Sequence, residues 1–81
     1  MFTVMVNLDS INRIKRFVEI INESKIDAEL VSGRYVVDAK SIMGIFSLDL
    51  IHPLQLNIFV ETKEEFEDIY NKLNEFIVER S

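Results

Sequence analysis

A segment with one apolar and one polar face is the clearest pattern in this 81-residue chain. Apolar residues occupy alternate positions from Leu54 to Val60, and Gln55 and Asn57 lie between them. This alternation predicts a β-strand that is packed on one side and hydrated on the other. Phe59 interrupts the pattern near its end. We therefore expect a sheet with a single covered face.

Three more strands are predicted from the same two-residue period. Residues 2–6 alternate well enough for a first strand. Residues 27–31 and 34–37 flank the dipeptide Ser32-Gly33, which suits a tight turn because glycine adopts positive φ without penalty. These two segments are expected to pair as an antiparallel hairpin.

Two longer segments have helical spacing instead. The first follows Asp9 or Ser10, either of which can cap a helix, and the second follows Thr62, which predicts a capping box with Glu65. The apolar positions are Ile11, Ile14, Phe17, Val18 and Ile21 in the first helix, and Phe66, Ile69, Tyr70, Leu73, Phe76 and Ile77 in the second. Each stripe is expected to pack against the sheet.

A short apolar segment follows Ser41. A serine in that position is a good helix N-cap, because its hydroxyl accepts a backbone N–H that the first turn leaves unpaired. The apolar residues after it are Ile42, Met43, Ile45, Phe46 and Leu48. A helix this short cannot bury apolar residues on nearly all of its sides, so some of them are expected to face solvent or a partner.

The predicted elements follow the order β-α-β-β-α-β-α. One-sided strands with three helices to cover them predict an α+β fold, a two-layer open-faced sandwich, in a single domain over residues 1–81.

Composition excludes several classes of function. The net charge of −5 argues against nucleic-acid binding, and the lack of cysteine excludes disulfides and thiolate metal sites. No apolar run approaches the ~20 residues that a membrane-spanning helix needs, and a signal peptide is not recognisable. These features predict a soluble cytoplasmic protein without cofactors or membrane insertion. Basic Arg13, Lys15 and Arg16 gather at the start of the first helix, whereas the C-terminal part, including Glu79, is acidic.

The segment Lys40-Ser41-Ile42-Met43-Gly44-Ile45-Phe46-Ser47-Leu48 resembles the regulatory-serine segment of HPr, the histidine-containing phosphocarrier family of the bacterial sugar phosphotransferase system. Chain length and element order also agree with that family. The resemblance implies a four-stranded antiparallel sheet covered on one face by three helices. The interval from Gly33 to Ser41 is about one residue longer than is usual in the family, which suggests a bulge in the third strand.

A second family signature is missing. HPr proteins carry a Gly-x-His-Ala-Arg-Pro stretch at the start of the first helix, whereas residues 7–13 read Asn-Leu-Asp-Ser-Ile-Asn-Arg. The lost histidine maps within positions 9–12. The sole histidine, His52, precedes Pro53 in a predicted loop, where solvent exposure is favoured over a role as phosphate acceptor or metal ligand. Asp9 is favoured as a capping or solvent-exposed residue over a phosphorylated one.

Several residues are candidates for binding or regulation. Ser10 and Arg13 lie where the resemblance places the phosphate, although Arg13 also fits a solvated helix face. Ser41 matches the serine that an ATP-dependent HPr kinase modifies in Gram-positive relatives, giving a form that binds a transcriptional regulator. The residues expected to face a partner are Ile42, Met43, Phe46, Arg13 and Arg16.

Three functions remain open. The first and preferred one is a regulatory, protein-binding module of the phosphotransferase network without carrier activity. The second is a phosphocarrier that uses a non-standard residue in phosphoenolpyruvate-dependent sugar phosphotransfer. The third is a structural interaction protein. An independent enzyme is not expected, because the sequence contains no nucleophile with a paired base, no phosphate-binding glycine loop and no metal set.

Overall fold

The computed structural model describes residues 1–78. The elements are β1 (Phe2–Val6), α1 (Ile11–Ser24), β2 (Asp27–Ser32), β3 (Tyr35–Asp38), α2 (Ile42–Phe46), β4 (Leu54–Phe59) and α3 (Lys63–Lys72), followed by a 3-10 turn at Asn74–Phe76. Within these residues, none of the helices is long and apolar enough to cross a membrane.

The four strands form one antiparallel sheet in the order β1-β4-β2-β3. The three helices cover one face, and the core lies between the two layers. Its largest buried side chains are Phe17, Phe76, Leu8, Ile14, Ile21, Leu30, Ile45, Leu54, Leu56, Ile58, Ile69 and Leu73. The predicted α+β open-faced sandwich is confirmed.

All three predicted helix starts are confirmed by their hydrogen bonds. The hydroxyl of Ser10 accepts from Arg13 N, and that of Thr62 accepts from Glu65 N in a reciprocal capping box. Ser41 caps α2. Local sequence therefore determines where each helix begins.

The hairpin differs from the prediction by one residue. The turn consists of Gly33 and Arg34, and only Gly33 has positive φ, at 59°, as in a type II′ turn. The β2–β3 register runs without interruption from Ser32↔Tyr35 to Glu29↔Asp38. The predicted bulge in the third strand is therefore wrong.

The C-terminal helix is shorter than its apolar pattern predicts. It ends at Lys72, and Phe76 is buried in the 3-10 turn rather than on a helix. Ile77 forms an isolated antiparallel bridge with Val6, and Val78 N–H donates to Met5 C=O at 2.9 Å. After α3, residues Ile77 and Val78 therefore pair with the outer edge of β1. Glu79 lies outside the described residues.

Two positions differ in burial from the predicted pattern. Ile11, placed on the buried face of the first helix, is the first residue of α1 and is 57% exposed. Asn57, placed on the hydrated face, is only 5% exposed. Its neighbours on the helix-free face cover it, and its amide is hydrogen-bonded to Thr3, Gln55 and Glu29.

Candidate functional site at the starts of α1 and α2

The start of α1 carries polar groups but no imidazole. Residues 9–12 are all exposed, and they read Asp-Ser-Ile-Asn. The Ser10 hydroxyl accepts from Arg13 N at 3.2 Å and so acts as the N-cap. The start of α1 therefore supplies a helix cap and exposed side chains.

Arg13 is held by groups of its own chain. Its Nη2 donates to Asn7 C=O at 2.8 Å and to Glu75 C=O at 3.1 Å, and its Nε lies 3.2 Å from the Asp9 carboxylate. The guanidinium group lies 5.0 Å from the ring centroid of Phe76, and the side chain is 26% exposed. Arg13 therefore joins the end of β1 to the C-terminal 3-10 turn.

Arg16, one turn later, contacts the same turn. Its Nε and Nη2 are each 2.9 Å from Glu75 Oε1, and its guanidinium group lies 5.9 Å from the Phe76 ring. About half of this side chain is exposed. The two arginines predicted to hold a partner or an anion are thus paired with residues 75 and 76. The sequence did not predict this contact, because its apolar pattern placed Phe76 on the C-terminal helix. In the structure, Phe76 lies in the 3-10 turn after that helix.

Ser41 lies at the opposite side of the site, at the start of α2. Its Oγ accepts from Gly44 N at 3.0 Å, and the residue is half-buried. A Cβ added to Gly44 would lie 3.0 Å from Ser41 Oγ and 3.2 Å from Val37 Cβ. The glycine therefore lets α2 approach both its own cap and the sheet closely.

The apolar residues of α2 divide into two groups. Ile45 is fully buried and Ile42 packs against the core, whereas Met43 is 80% and Phe46 41% exposed. Because α2 packs against α1, these exposed side chains lie on the helical layer. Ile11, in the first turn of α1, is a further exposed apolar residue that the helical period assigned to the core.

His52 is exposed in the loop before β4. Its Nδ1 lies 3.1 Å from Asp49 Oδ2, and the Ile51 N–H donates to Asp49 Oδ1. The hydrogen bond from Ile51 N–H lowers the pKa of the Asp49 carboxyl below its usual value, and the hydrogen bond with His52 contributes a smaller lowering. Within residues 1–78 no three His, Cys, Asp or Glu side chains are grouped so as to hold a metal ion.

Comparisons with known proteins find similarity in structure only. The sequence matches no protein-family profile and no curated protein sequence. The fold is similar to that of HPr-C-His from Thermoanaerobacter tengcongensis, with 23% identity over 91% of this chain and 89% of that one and a TM-score of 0.68. It is also similar to the phosphocarrier protein HPr from Bacillus anthracis str. Ames, with 25% identity over 84% of this chain and 88% of that one and a TM-score of 0.61. The chain has the HPr-like fold.

Proposed function

We propose that this chain is a regulatory, protein-binding module of the phosphotransferase network that does not carry a phosphoryl group on histidine. The observation that supports this proposal most is the start of α1. A transferable phosphoramidate needs an imidazole, and residues 9–12 contain none. The side chains of Ser10 and Arg13 are occupied there by a helix cap and by contacts within the chain.

The binding surface in this proposal combines α2 with the start of α1. Met43 and Phe46 expose apolar area on the helical layer, and an apolar patch rimmed by charge is the usual composition of a protein-binding surface. Ile42 would contribute at its edge. Arg13 and Arg16 would supply the basic rim through the part of each side chain that their pairing with residues 75 and 76 leaves exposed.

Ser41 is the regulatory residue in this proposal. The residue is partly exposed at the start of α2, and the segment around it resembles the one that HPr kinase modifies. A phosphate on Ser41 adds about −1.5 to −2 charge beside Met43. Its expected effect is therefore on binding, with HPr kinase or a transcriptional regulator as the partner.

Phosphoryl transfer from phosphoenolpyruvate through enzyme I tests the lack of carrier function. An ordinary HPr in the same tube is the positive control, and this chain is expected to remain unlabelled. Any label transferred to this chain would overturn the lack of carrier function and favour the second candidate, a phosphocarrier with a non-standard acceptor. Base-stable, acid-labile label would assign the acceptor to His52, the one histidine of the sequence. That candidate is supported by the similarity to the Bacillus anthracis phosphocarrier.

Incubation with ATP and HPr kinase tests the regulatory residue. Mass spectrometry is expected to find one added phosphate on the wild-type chain and none on Ser41→Ala. A control variant, Ser47→Ala, should still be labelled. If ordinary HPr is labelled and this chain is not, Ser41 is only a helix cap, and a structural interaction protein becomes the better interpretation.

A further inference from the structure

The β3 strand forms one edge of the sheet and leaves hydrogen-bonding groups unpaired. Among residues 1–78 it pairs with β2 alone. Ala39 N–H donates to Ala28 C=O at 3.0 Å. Since hydrogen-bonded and non-hydrogen-bonded pairs alternate in an antiparallel ladder, Tyr35 and Val37 also bond toward β2. The N–H groups of Val36 and Asp38 and the C=O of Val36 therefore point away from the sheet.

Natural edges are protected by short length, charged side chains, proline, inward-pointing charge or bulges. This edge is short and ends in Asp38, but it has no proline, no bulge and no inward-pointing charge. The sequence of β3 is Tyr-Val-Val-Asp, and its register is regular. Tyr35 is 69% and Val36 56% exposed, so apolar side chains stand on both faces of an open edge.

The side chains along the edge are self-complementary. Arg34, the turn residue directly before β3, and Asp38, the last residue of β3, lie two residues before and two residues after Val36. In a twofold antiparallel pair centred on Val36, each Arg34 would stand opposite Asp38 of the second copy. The same register pairs the outward-pointing N–H and C=O groups of the two Val36 residues with each other, so the backbone and the charges favour one register.

A charge imbalance within the sheet supports the same arrangement. Glu29 and Asp38 are direct cross-strand partners, and like charges in that position are destabilising. The Lys40 ammonium group lies 3.4 Å from Asp27, and the described residues form no ion pair to either Glu29 or Asp38. An arginine arriving opposite Asp38 would supply the missing positive charge.

We propose that the β3 edge binds a second copy of this chain, and that the two sheets join into one continuous antiparallel sheet. The twofold axis passes between the two Val36 residues, perpendicular to the sheet, so the helices of both copies lie on the same face. The interface is small and belongs to the weak, concentration-dependent class. This dimer proposal does not depend on the function proposed above.

Sedimentation equilibrium from about 10 µM to about 1 mM, a range suited to weak association, tests this proposal. The wild-type chain is expected to show a monomer–dimer equilibrium. Arg34→Asp and Asp38→Arg should each raise the dimer Kd at least about tenfold, because each places like charges opposite one another twice. Lys63→Asp, which makes the same charge change as Arg34→Asp at the start of α3, should leave the Kd unchanged.

Mixing the two variants gives the sharper result. One chain then has aspartate at both positions and the other has arginine at both, so an equimolar mixture is expected to form a heterodimer although neither variant dimerises alone. A wild-type chain that is monomeric at about 1 mM would overturn the proposal, as would variants that dimerise like the wild type or a mixture that does not associate.

Amide hydrogen exchange on the wild-type chain provides a measurement without any substitution. It is needed because Asp38 Oδ1 also accepts from Lys40 N at 2.9 Å, so Asp38→Arg can disturb the turn before α2. The Val36 and Asp38 amides should become protected as the concentration rises. Unchanged exchange at these two amides in a sample that does dimerise would assign the interface to another surface.

Discussion

Gly44 lies where the cap of α2 meets the sheet, and it leaves little space for a side chain. Alanine favours a helix over glycine by about 1 kcal/mol, but its Cβ would lie 3.0 Å from Ser41 Oγ and 3.2 Å from Val37 Cβ. We expect Gly44→Ala to lower the free energy of unfolding by about 1–3 kcal/mol, as overpacking does. Urea denaturation measures the change.

A double substitution isolates the contact between the added Cβ at Gly44 and the Ser41 hydroxyl. In a Ser41→Ala background the clash with the hydroxyl is absent, so Gly44→Ala should cost less there than in the wild type. Equal costs in both backgrounds would assign the strain to Val37 Cβ and Ser41 Cβ, which remain 3.2 Å and 3.3 Å from the added Cβ.

Phe46 and Ile45 are neighbours in sequence with opposite environments, since Phe46 is 41% exposed and Ile45 is fully buried. Phe46→Ala is expected to weaken partner capture while costing much less stability than the ~3–5 kcal/mol of a buried phenylalanine. Ile45→Ala, the matched control, should cost about 2–5 kcal/mol. Thermal melts of the two variants measure the loss of stability. If Phe46→Ala loses as much stability as a buried phenylalanine, Phe46 does not belong to the proposed binding surface.

At the scale of elements, Arg13 connects the start of α1 with the 3-10 turn after α3. A lysine cannot reproduce its two hydrogen bonds to Asn7 C=O and Glu75 C=O together with its position over Phe76. Arg13→Lys is therefore expected to cost about 1–3 kcal/mol of unfolding free energy, since hydrogen bonds from charged groups are among the stronger ones.

Lys15→Ala is the control for this substitution. Lys15 is exposed on the same helix, so its loss should change stability by less than about 0.5 kcal/mol. If Arg13→Lys is equally mild, the arginine does not hold the turn, and it would be free to bind an anion or a partner.

The sequence predicted where elements begin better than where they end. Ser10, Ser41 and Thr62 are caps whose hydrogen bonds reach only three residues ahead, so the local sequence contains the whole signal. The end of α3 has only weak signals, Lys72 in the last turn and Asn74 two residues later, because neither glycine nor proline follows. Leu73, Phe76 and Ile77 continue the apolar pattern, and only the edge of β1 and the two arginines of α1 make the chain turn there.

The same distinction applies to the candidate site. Counting apolar residues in a short helix predicted only that some of them are exposed. The family resemblance named Ile42, Met43 and Phe46, of which Met43 and Phe46 are exposed while Ile42 packs against the core. The contacts of Arg13 and Arg16 with residues 75 and 76 were not predicted, because they join positions about sixty residues apart in the chain.

At the scale of the whole molecule, a polar network joins three strands on the helix-free face. Asn57 Oδ1 accepts from Thr3 Oγ1 at 2.9 Å and from Gln55 Nε2 at 3.0 Å, and its Nδ2 donates to Glu29 at 3.0 Å. Asn57→Ala is expected to cost about 1–3 kcal/mol, because partly buried partners lose their hydrogen bonds. Thr3→Ala, at an exposed position, should cost less. Equal losses in urea denaturation would contradict a central role for Asn57.

The strand order determines when this sheet can be completed during synthesis. β1 is made first, yet its neighbours in the sheet are β4 and residue Ile77, which are made late. Contacts between such distant segments must close large loops, and they slow folding. A nascent chain that ends before β4 can form α1 and the β2–β3 hairpin, but it leaves β1 without a partner. Of these four strands, the first to be synthesised is therefore among the last to be paired.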